Sequence, residues 1–420
     1  MPRNYKIVIL IFAIFFAVSI LTNILGPLIP DIINSFHLSL TMAGLLPFSF
    51  FIAYGLMSIP SGMLIEKYHE RIVLLWAFLL ALIGSLLFAI FPAYYIAIIS
   101  LFLIGIGMAM IQVSINPLLR VSGGEEHFAF NSVLGQLIFG TASFISPQIY
   151  SYLVLNLNNT SPDSSPVISI LSRIVPPQYN WVSVYWFFSL LIIVMLIVIF
   201  FMKLPKVQLS EEERIGAWQT HKTLFKNKTV ILFFIGIFVY VGSEQGVANW
   251  ISKFLMDYHA IDPQTTGARI VSFFWGAMTL GCILGLILLK FYDSRKILIV
   301  FSSLAIINLV LAIFGNLQMS LYCFPLVGFS FSVMWSIIFS LALNSVQKHH
   351  GSFSGILCTA IIGGAVIPLI IGWVGDLISL RVGMLLLFVT SGYILSIGFW
   401  AKPLITNKVI SRREYKIEKL

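Results

Sequence analysis

The chain has 420 residues, of which 59% are hydrophobic and only 10% are charged. Soluble domains carry about 25% charged residues, so this composition excludes a soluble protein and predicts an all-α polytopic membrane protein. The formal net charge of +9 does not indicate nucleic-acid binding, because the basic residues fall in short segments between apolar runs.

Apolar runs of about 18 residues or more mark the expected membrane spans. They lie near residues 7–30, 43–65, 72–91, 94–118, 129–155, 183–202, 229–256, 268–289, 297–314, 319–343, 353–375 and 382–401. This pattern predicts twelve transmembrane helices, and prolines within the runs, such as Pro27 and Pro60, predict that some are kinked or broken. Most of the 25 Lys and Arg residues fall in segments that lie on the same side of the membrane as the N-terminus. We therefore expect both termini to be cytoplasmic in a plasma (inner) membrane.

The spans divide into two halves of six. The expected parts are an N-terminal bundle over 1–203, a cytoplasmic linker with a short interfacial helix over 204–228, a C-terminal bundle over 229–401, and a basic cytoplasmic tail over 402–420. Gly62 and Gly285, at the ends of spans two and eight, are separated by nearly the same interval as the starts of spans one and seven. This common interval suggests duplicated halves. We expect the protein to be a monomer in the lipid bilayer.

Glu244 stands near the middle of the seventh apolar run. A carboxylate at membrane depth costs roughly 2.5–3.5 kcal/mol on insertion scales, so such a residue normally faces a cavity and has a function. The other acids lie at or beyond the ends of the apolar runs. Glu244 is therefore the expected coupling-ion residue. It could take up a proton, bind Na⁺ together with neighbouring oxygen atoms, or hydrogen bond to another helix as a structural group.

Amide and tryptophan side chains inside or near the spans are candidate substrate contacts. Amides match sugar hydroxyls, which both donate and accept, and an aromatic ring packs on the apolar face of a pyranose. The alternative is that the amides join neighbouring helices and that the tryptophans pack or face lipid. The candidates are Asn23, Gln112, Asn116, Gln136, Gln245, Asn249, Trp250, Trp275 and Trp335. Gln112 with Asn116, and Gln245 with Asn249, are four residues apart and share a helix face.

The loop after span two contains Gly62, then Glu66 and Lys67, then Arg71. This glycine, acid and pair of bases resemble the signature loop of the major facilitator superfamily. The resemblance implies the superfamily's fold, twelve helices in two six-helix bundles. It also implies a gating role for these four residues at the inner face, because the acid can accept hydrogen bonds from a helix N-terminus and from bases.

Three segments carry a narrower resemblance. They are Gln112-Val-Ser-Ile-Asn116-Pro117 in span four, Tyr240-Val-Gly-Ser-Glu244 in span seven, and Trp335 to Asn344 in span ten. Together they are similar to the fucose–proton symporter (FHS) family of sugar permeases, which implies cation-coupled sugar symport. That family carries acids late in span one and in span four. The matching positions here are the neutral Gly26 and Gln112, so coupling is expected to depend on Glu244.

The expected function is secondary active transport, in which a monosaccharide is taken up with H⁺ or Na⁺ by alternating access. The sequence has no Walker loop, no cluster of metal-binding His and Cys, and no nucleophile elbow. We therefore expect neither an enzyme nor a cofactor, and no metal other than a possible Na⁺ at Glu244. The alternatives are a superfamily exporter of sugars or amphipathic drugs and a nutrient sensor that does not transport. The sequence does not identify the sugar.

Overall fold

The computed structural model describes residues 4–124, 128–158, 165–205, 223–346 and 350–404. Within these ranges the chain forms helices, turns and connections, and no strand. Helices are expected here, because a helix satisfies all its backbone hydrogen bonds within one segment that crosses lipid. Most of the predicted linker helix and of the basic tail lies outside the described residues.

The described residues of the first half form eight α-helices and one 3₁₀ segment. They are α1 (Tyr5–Thr22), α2 (Leu25–Phe36), α3 (Leu40–Tyr68), α4 (Glu70–Ile90), α5 (Tyr94–Gly123), α6 (Phe128–Asn158), α7 (Pro166–Ile174), the 3₁₀ segment Pro177–Val182, and α8 (Ser183–Phe201).

The described residues of the second half form nine α-helices and two short turns. They are α9 (Lys228–His259), the π-turn Pro263–Gly267, α10 (Ala268–Phe291), α11 (Ser294–Phe314), α12 (Leu317–Phe331), α13 (Met334–Leu343), α14 (His350–Thr359), the 3₁₀ turn Ala360–Ile362, α15 (Gly363–Leu377), α16 (Leu380–Gly383) and α17 (Leu386–Trp400).

Eleven segments of the described chain are long and apolar enough to cross a membrane. Some combine two helices, such as α1 with α2 and α12 with α13. The one predicted span that is missing from these eleven is the fifth in chain order, and it corresponds to α6, which has 31 residues. It carries no charged side chain, but polar residues such as Asn131, Thr141 and Gln148 make it less apolar. The predicted all-α, twelve-helix architecture is confirmed.

Proline explains where the first span is interrupted. α1 ends at Thr22 and α2 begins at Leu25. Pro27 has no N–H to donate to the carbonyl of Asn23, four residues earlier, and its ring collides with that carbonyl. The expectation of broken helices therefore holds for this span, whereas α3, α5 and α6 continue through their prolines.

Each half has its own hydrophobic core, one built mainly by α1–α8 and one by α9–α17. Three residues of the first half, Ile29 and Ile33 on α2 and Ala43 on α3, pack into the core of the second half. The halves therefore meet where α2 ends and α3 begins, in addition to contacts of α3 with α15 and of α6 with α10. We call this end of the molecule, which contains the α2–α3 connection and the C-terminus of α15, the closed end.

Glycines allow the two halves to touch closely both near the middle of the spans and at the closed end. A Cβ atom on Gly26 would lie 2.2 Å from the carbonyl oxygen of Ala248, and one on Gly372 would lie 2.4 Å from that of Leu40. Both distances are far below van der Waals contact. Gly26 is the position that the resemblance to the fucose symporter family matched to an acid, and no larger side chain fits there in this conformation.

Candidate functional site

Glu244 lies near the middle of α9, and two side chains of the same helix hold its carboxylate. Tyr240 Oη donates to Oε2 at 2.6 Å, and Gln245 Nε2 donates to Oε1 at 3.2 Å. Tyr240 precedes Glu244 by one helical turn, so the two side chains share a face. Ser243 Oγ donates to Thr390 Oγ1 at 2.6 Å, which fastens this part of α9 to α17. Both oxygens of the predicted coupling residue thus accept hydrogen bonds.

An aromatic path connects Glu244 with a cavity in the second half. The ring centroids of Tyr240 and Trp335 are 6.2 Å apart. Trp335 in turn stacks on Phe339, with centroids 5.8 Å apart and an interplanar angle of 22°. Both rings line a cavity of about 390 Å³ that is open on one side, and its other lining residues are Ser336, Ser340, Leu343 and Asn344, so all six belong to α13 and its C-terminal cap. The cavity combines aromatic faces with hydroxyl and amide groups, which are the groups that recognise sugars.

Two further candidates in the second half are buried donors. Asn249 and Trp275 are only 3% and 4% exposed. Asn249 Nδ2 and Trp275 Nε1 donate to no group among the residues that the structure describes. An unpaired buried donor costs about 1–3 kcal/mol, so such a group is well suited to bind a ligand hydroxyl. Both stay predicted substrate contacts, as does Gln245, which is bonded to Glu244.

The candidates in the first half are more dispersed. Asn23 is buried at the break between α1 and α2, and its Nδ2 donates to Ser143 Oγ on α6 at 2.8 Å. Gln112 is half-buried on α5, and Gln136 is exposed on α6. Asn116 lies in α5, but its side chain is outside the described part of the chain. Asn23 therefore joins two helices, whereas binding roles for the other three stay predictions.

Trp250 is not among the residues that line the cavity. It has no exposed surface, and its Nε1 donates to the carbonyl oxygen of Pro368 at 3.1 Å. This bond joins α9 to α15 and satisfies the only donor of the indole ring. In this conformation Trp250 therefore serves helix packing, and its role as a substrate contact stays a prediction.

The predicted gating loop contacts its own half of the molecule. Arg71 Nη2 donates to the carbonyl oxygen of Phe200 at the end of α8, and the guanidinium lies 5.9 Å from the Phe200 ring centroid. Lys67 is exposed and Gly62 is buried, while the side chain of Glu66 lies outside the described residues. The contacts described for Arg71 do not join the two halves in this conformation.

Sequence reasoning missed two carboxylates that join the halves. Asp31, expected at the end of the first apolar run, is only 8% exposed because α2 continues to Phe36. Glu244 is thus not the only acid within the spans. Asp376, near the end of α15, accepts hydrogen bonds from the first residues of α3. In the sequence, each of these acids stands at the edge of an apolar run. An acid at the solvated end of a span gives the same pattern, so the sequence does not distinguish the two cases.

Comparisons with known proteins identify the family. The family model described as Major Facilitator Superfamily matches residues 11–361. A glucose/galactose transporter of Brucella abortus is 29% identical over 394 residues, which cover 92% of this chain and 91% of that protein. The L-fucose-proton symporter of Escherichia coli is 22% identical over 393 residues, which cover 87% of this chain and 86% of that protein.

The crystal structure of the transporter FucP in the outward conformation has the same fold. It aligns with a TM-score of 0.67 and 19% sequence identity over 94% of this chain and 98% of that chain. The resemblance to the fucose–proton symporter family is confirmed, and these relatives are named as transporters rather than as enzymes. The chain is a multi-pass integral membrane protein that belongs to the Major Facilitator Superfamily.

Proposed function

We propose that the protein is a secondary active transporter that takes up a monosaccharide together with protons. The observation that carries this proposal is the continuous contact from the cavity through Trp335 and Tyr240 to Glu244. A sugar packed against Trp335 is separated from the carboxylate by one tyrosine ring. Binding of the substrate can therefore affect binding of the coupling ion, and the reverse, through a short chain of contacts.

The coupling follows from linkage between the two sites. An ion drives transport only when its binding differs between the conformations that it biases. Protonation removes the charge to which Tyr240 donates, and Tyr240 packs on Trp335. We propose that the proton and the sugar thereby strengthen each other's binding, an effect that is reciprocal by thermodynamic necessity.

A proton is the coupling ion that best suits this arrangement. The two bonds described at the Glu244 carboxylate come from donors of its own helix, Tyr240 and Gln245, whereas Na⁺ requires several oxygen ligands. A relative over most of the chain is named an L-fucose-proton symporter. Both features support H⁺ over Na⁺.

A six-carbon monosaccharide is the substrate class that we propose. Relatives that span most of the chain are named for glucose, galactose and fucose. A cavity of about 390 Å³ falls in the range of about 300–1,000 Å³ for small-molecule sites. Its serine hydroxyls and amide can pair with sugar hydroxyls, and its aromatic rings can pack on the sugar's C–H face.

Transport in proteoliposomes with imposed gradients tests the proposal. Radiolabelled glucose, galactose and fucose are offered under an inward H⁺ gradient, an inward Na⁺ gradient or no gradient. We expect at least one of these sugars to accumulate under the H⁺ gradient alone and to leave when a protonophore is added. Accumulation under Na⁺ alone would contradict proton coupling. If none of these sugars moves under any gradient, the result contradicts the proposed substrate class and favours an exporter of other compounds or a sensor.

Truncation of the Trp335 ring tests its contact with the sugar. We expect Trp335→Ala to weaken sugar binding about tenfold, because the aromatic platform is lost, and Trp335→Phe to restore much of the affinity. Isothermal titration calorimetry on the purified protein measures the change. Trp373, which is 54% exposed on α15, is the matched control, and Trp373→Ala should bind like the parent. Equal loss in both alanine variants would refute the placement of the sugar.

The proposed orientation in a plasma membrane, with both termini cytoplasmic, is tested by labelling. Ser172 on α7 and Lys296 on α11 are exposed at opposite ends of the molecule under this topology. In a background without the three native cysteines, we expect Ser172→Cys to react with an impermeant maleimide in intact cells. Lys296→Cys should react only after the cells are permeabilised. Reaction of both in intact cells would show that this topology is wrong.

A further inference from the structure

The first observation is a carboxylate of the second half that holds the start of a helix in the first half. Asp376 Oδ1 accepts from the backbone N–H of Leu40 at 2.7 Å. Its Oδ2 accepts from the N–H of Thr41 at 2.7 Å and from the Thr41 hydroxyl at 2.5 Å. The first N–H groups of a helix lack intrahelical partners and carry partial positive charge, so a carboxylate is a strong acceptor for them. Asp376 on α15 is thereby fixed to α3.

The second observation is a carboxylate of the first half that binds the second half. Asp31 on α2 accepts from Gln264 Nε2, which lies 3.0 Å from Oδ1 and 3.2 Å from Oδ2. Within its own half it accepts from Tyr150 Oη at 2.6 Å. Asp262 orients Gln264 by accepting from its backbone N–H at 3.1 Å. The π-turn Pro263–Gly267 thus presents the amide to a buried carboxylate.

Both contacts lie at the closed end. In one the acid belongs to the second half and the donors to the first, and in the other the acid belongs to the first half and the donor to the second. One acid of each half reaches a donor of the other half, so separation of the halves breaks both sets of hydrogen bonds. Hydrogen bonds to ionised carboxylates are stronger than neutral ones. The close approach of Gly26 to Ala248 lies nearer the middle of the spans, one helical turn along α9 from Glu244, and it also requires the two halves to be closed together.

We propose that Asp31 and Asp376 are a reciprocal pair of positioning residues that hold the closed end shut, and that each transport cycle requires both contacts to break. The proposal rests on the proposed function, in that a carrier by alternating access must open this end. Neither acid contacts the cavity; each acts by setting the balance between conformations. Loss of either contact should shift that balance toward the conformation open at this end by about tenfold.

The labelling rate of a buried cysteine tests this proposal without any sugar. Ile33 on α2 is 9% exposed and packs into the core of the other half, so Ile33→Cys reports opening in a background without the native cysteines. We expect Asp31→Asn, Gln264→Ala and Asp376→Asn each to increase the maleimide labelling rate about tenfold. Asp257→Asn is the matched control. It removes an exposed acid that pairs with Lys253 on the same helix, and it should label like the parent.

Two further arms separate a contact between halves from general loosening. Tyr150→Phe removes a hydrogen bond within one half, so its effect on labelling should be smaller than that of Gln264→Ala. Each variant is also checked by its melting temperature and by size-exclusion chromatography. Unchanged labelling in folded Gln264→Ala and Asp376→Asn proteins would overturn the proposal, and so would equal labelling in Asp257→Asn. Because no sugar is used, failure here leaves the proposed sugar transport untouched, and absence of sugar transport leaves this result standing.

Discussion

Replacement of Glu244 by glutamine is expected to abolish accumulation of sugar against a gradient while exchange of sugar continues. Glutamine keeps the shape of the side chain, and its carbonyl oxygen can still accept from Tyr240 Oη. It cannot take up a proton or carry charge, so the H⁺ gradient no longer biases the conformations. The accumulation ratio should fall to about one under a gradient that drives concentrative uptake by the parent.

Paired assays on the same proteoliposomes measure both parts of this prediction. Net uptake under an H⁺ gradient reports coupling, and counterflow without a gradient reports exchange. Asp257→Asn, which removes an exposed acid elsewhere on α9, should retain both activities. If Glu244→Gln accumulates sugar like the parent, the carboxylate has a structural role or another acid carries the proton.

Addition of a single methyl group at Gly26 should reduce transport by at least about tenfold. A Cβ atom there would lie 2.2 Å from the carbonyl oxygen of Ala248, which belongs to the backbone and cannot rotate away. Overpacking of this kind costs about 1–3 kcal/mol. The cost falls only on the conformation in which the halves touch. Gly26→Ala should therefore trap the carrier in the conformation that is open at the closed end.

Gly392 on α17 provides the control, since a Cβ atom there would meet nothing within 4 Å. Gly392→Ala should transport like the parent. Initial uptake rates measure the loss, and labelling of Ile33→Cys should show that Gly26→Ala populates the open conformation. A Gly26→Ala protein that transports at the parent rate would show that the close contact is dispensable for the cycle.

The spans could be predicted from the sequence because the length and apolarity of each run determine whether it crosses a bilayer. Glu244 could be found for the same reason, since an ionisable group in the middle of a span stands out in any sequence. Trp335 was singled out by resemblance and lines the cavity, and its contact with a sugar stays a prediction. The break before Pro27 followed from the chemistry of proline.

Contacts between the halves could not be predicted, because they join residues more than two hundred positions apart. Asp31 and Gln264 meet only when α2 lies against the π-turn after α9. Trp250 and Trp275 are indistinguishable as tryptophans inside spans. Their difference arises because the Pro368 carbonyl satisfies one indole, while no described residue satisfies the other.

The positions of the two donors to Glu244 determine how proton transport can be coupled to sugar transport. Tyr240 and Gln245 both belong to α9, the helix that carries the carboxylate, so these bonds move with the helix as a rigid unit. The carboxylate therefore keeps the same donors whichever side of the membrane the cavity faces. A difference in proton affinity between the two orientations must therefore come from groups on other helices, such as Trp335 on α13, which packs on Tyr240. Under the proposed function, coupling should therefore be lost when α13 no longer packs against α9, even with Glu244 and both of its donors intact.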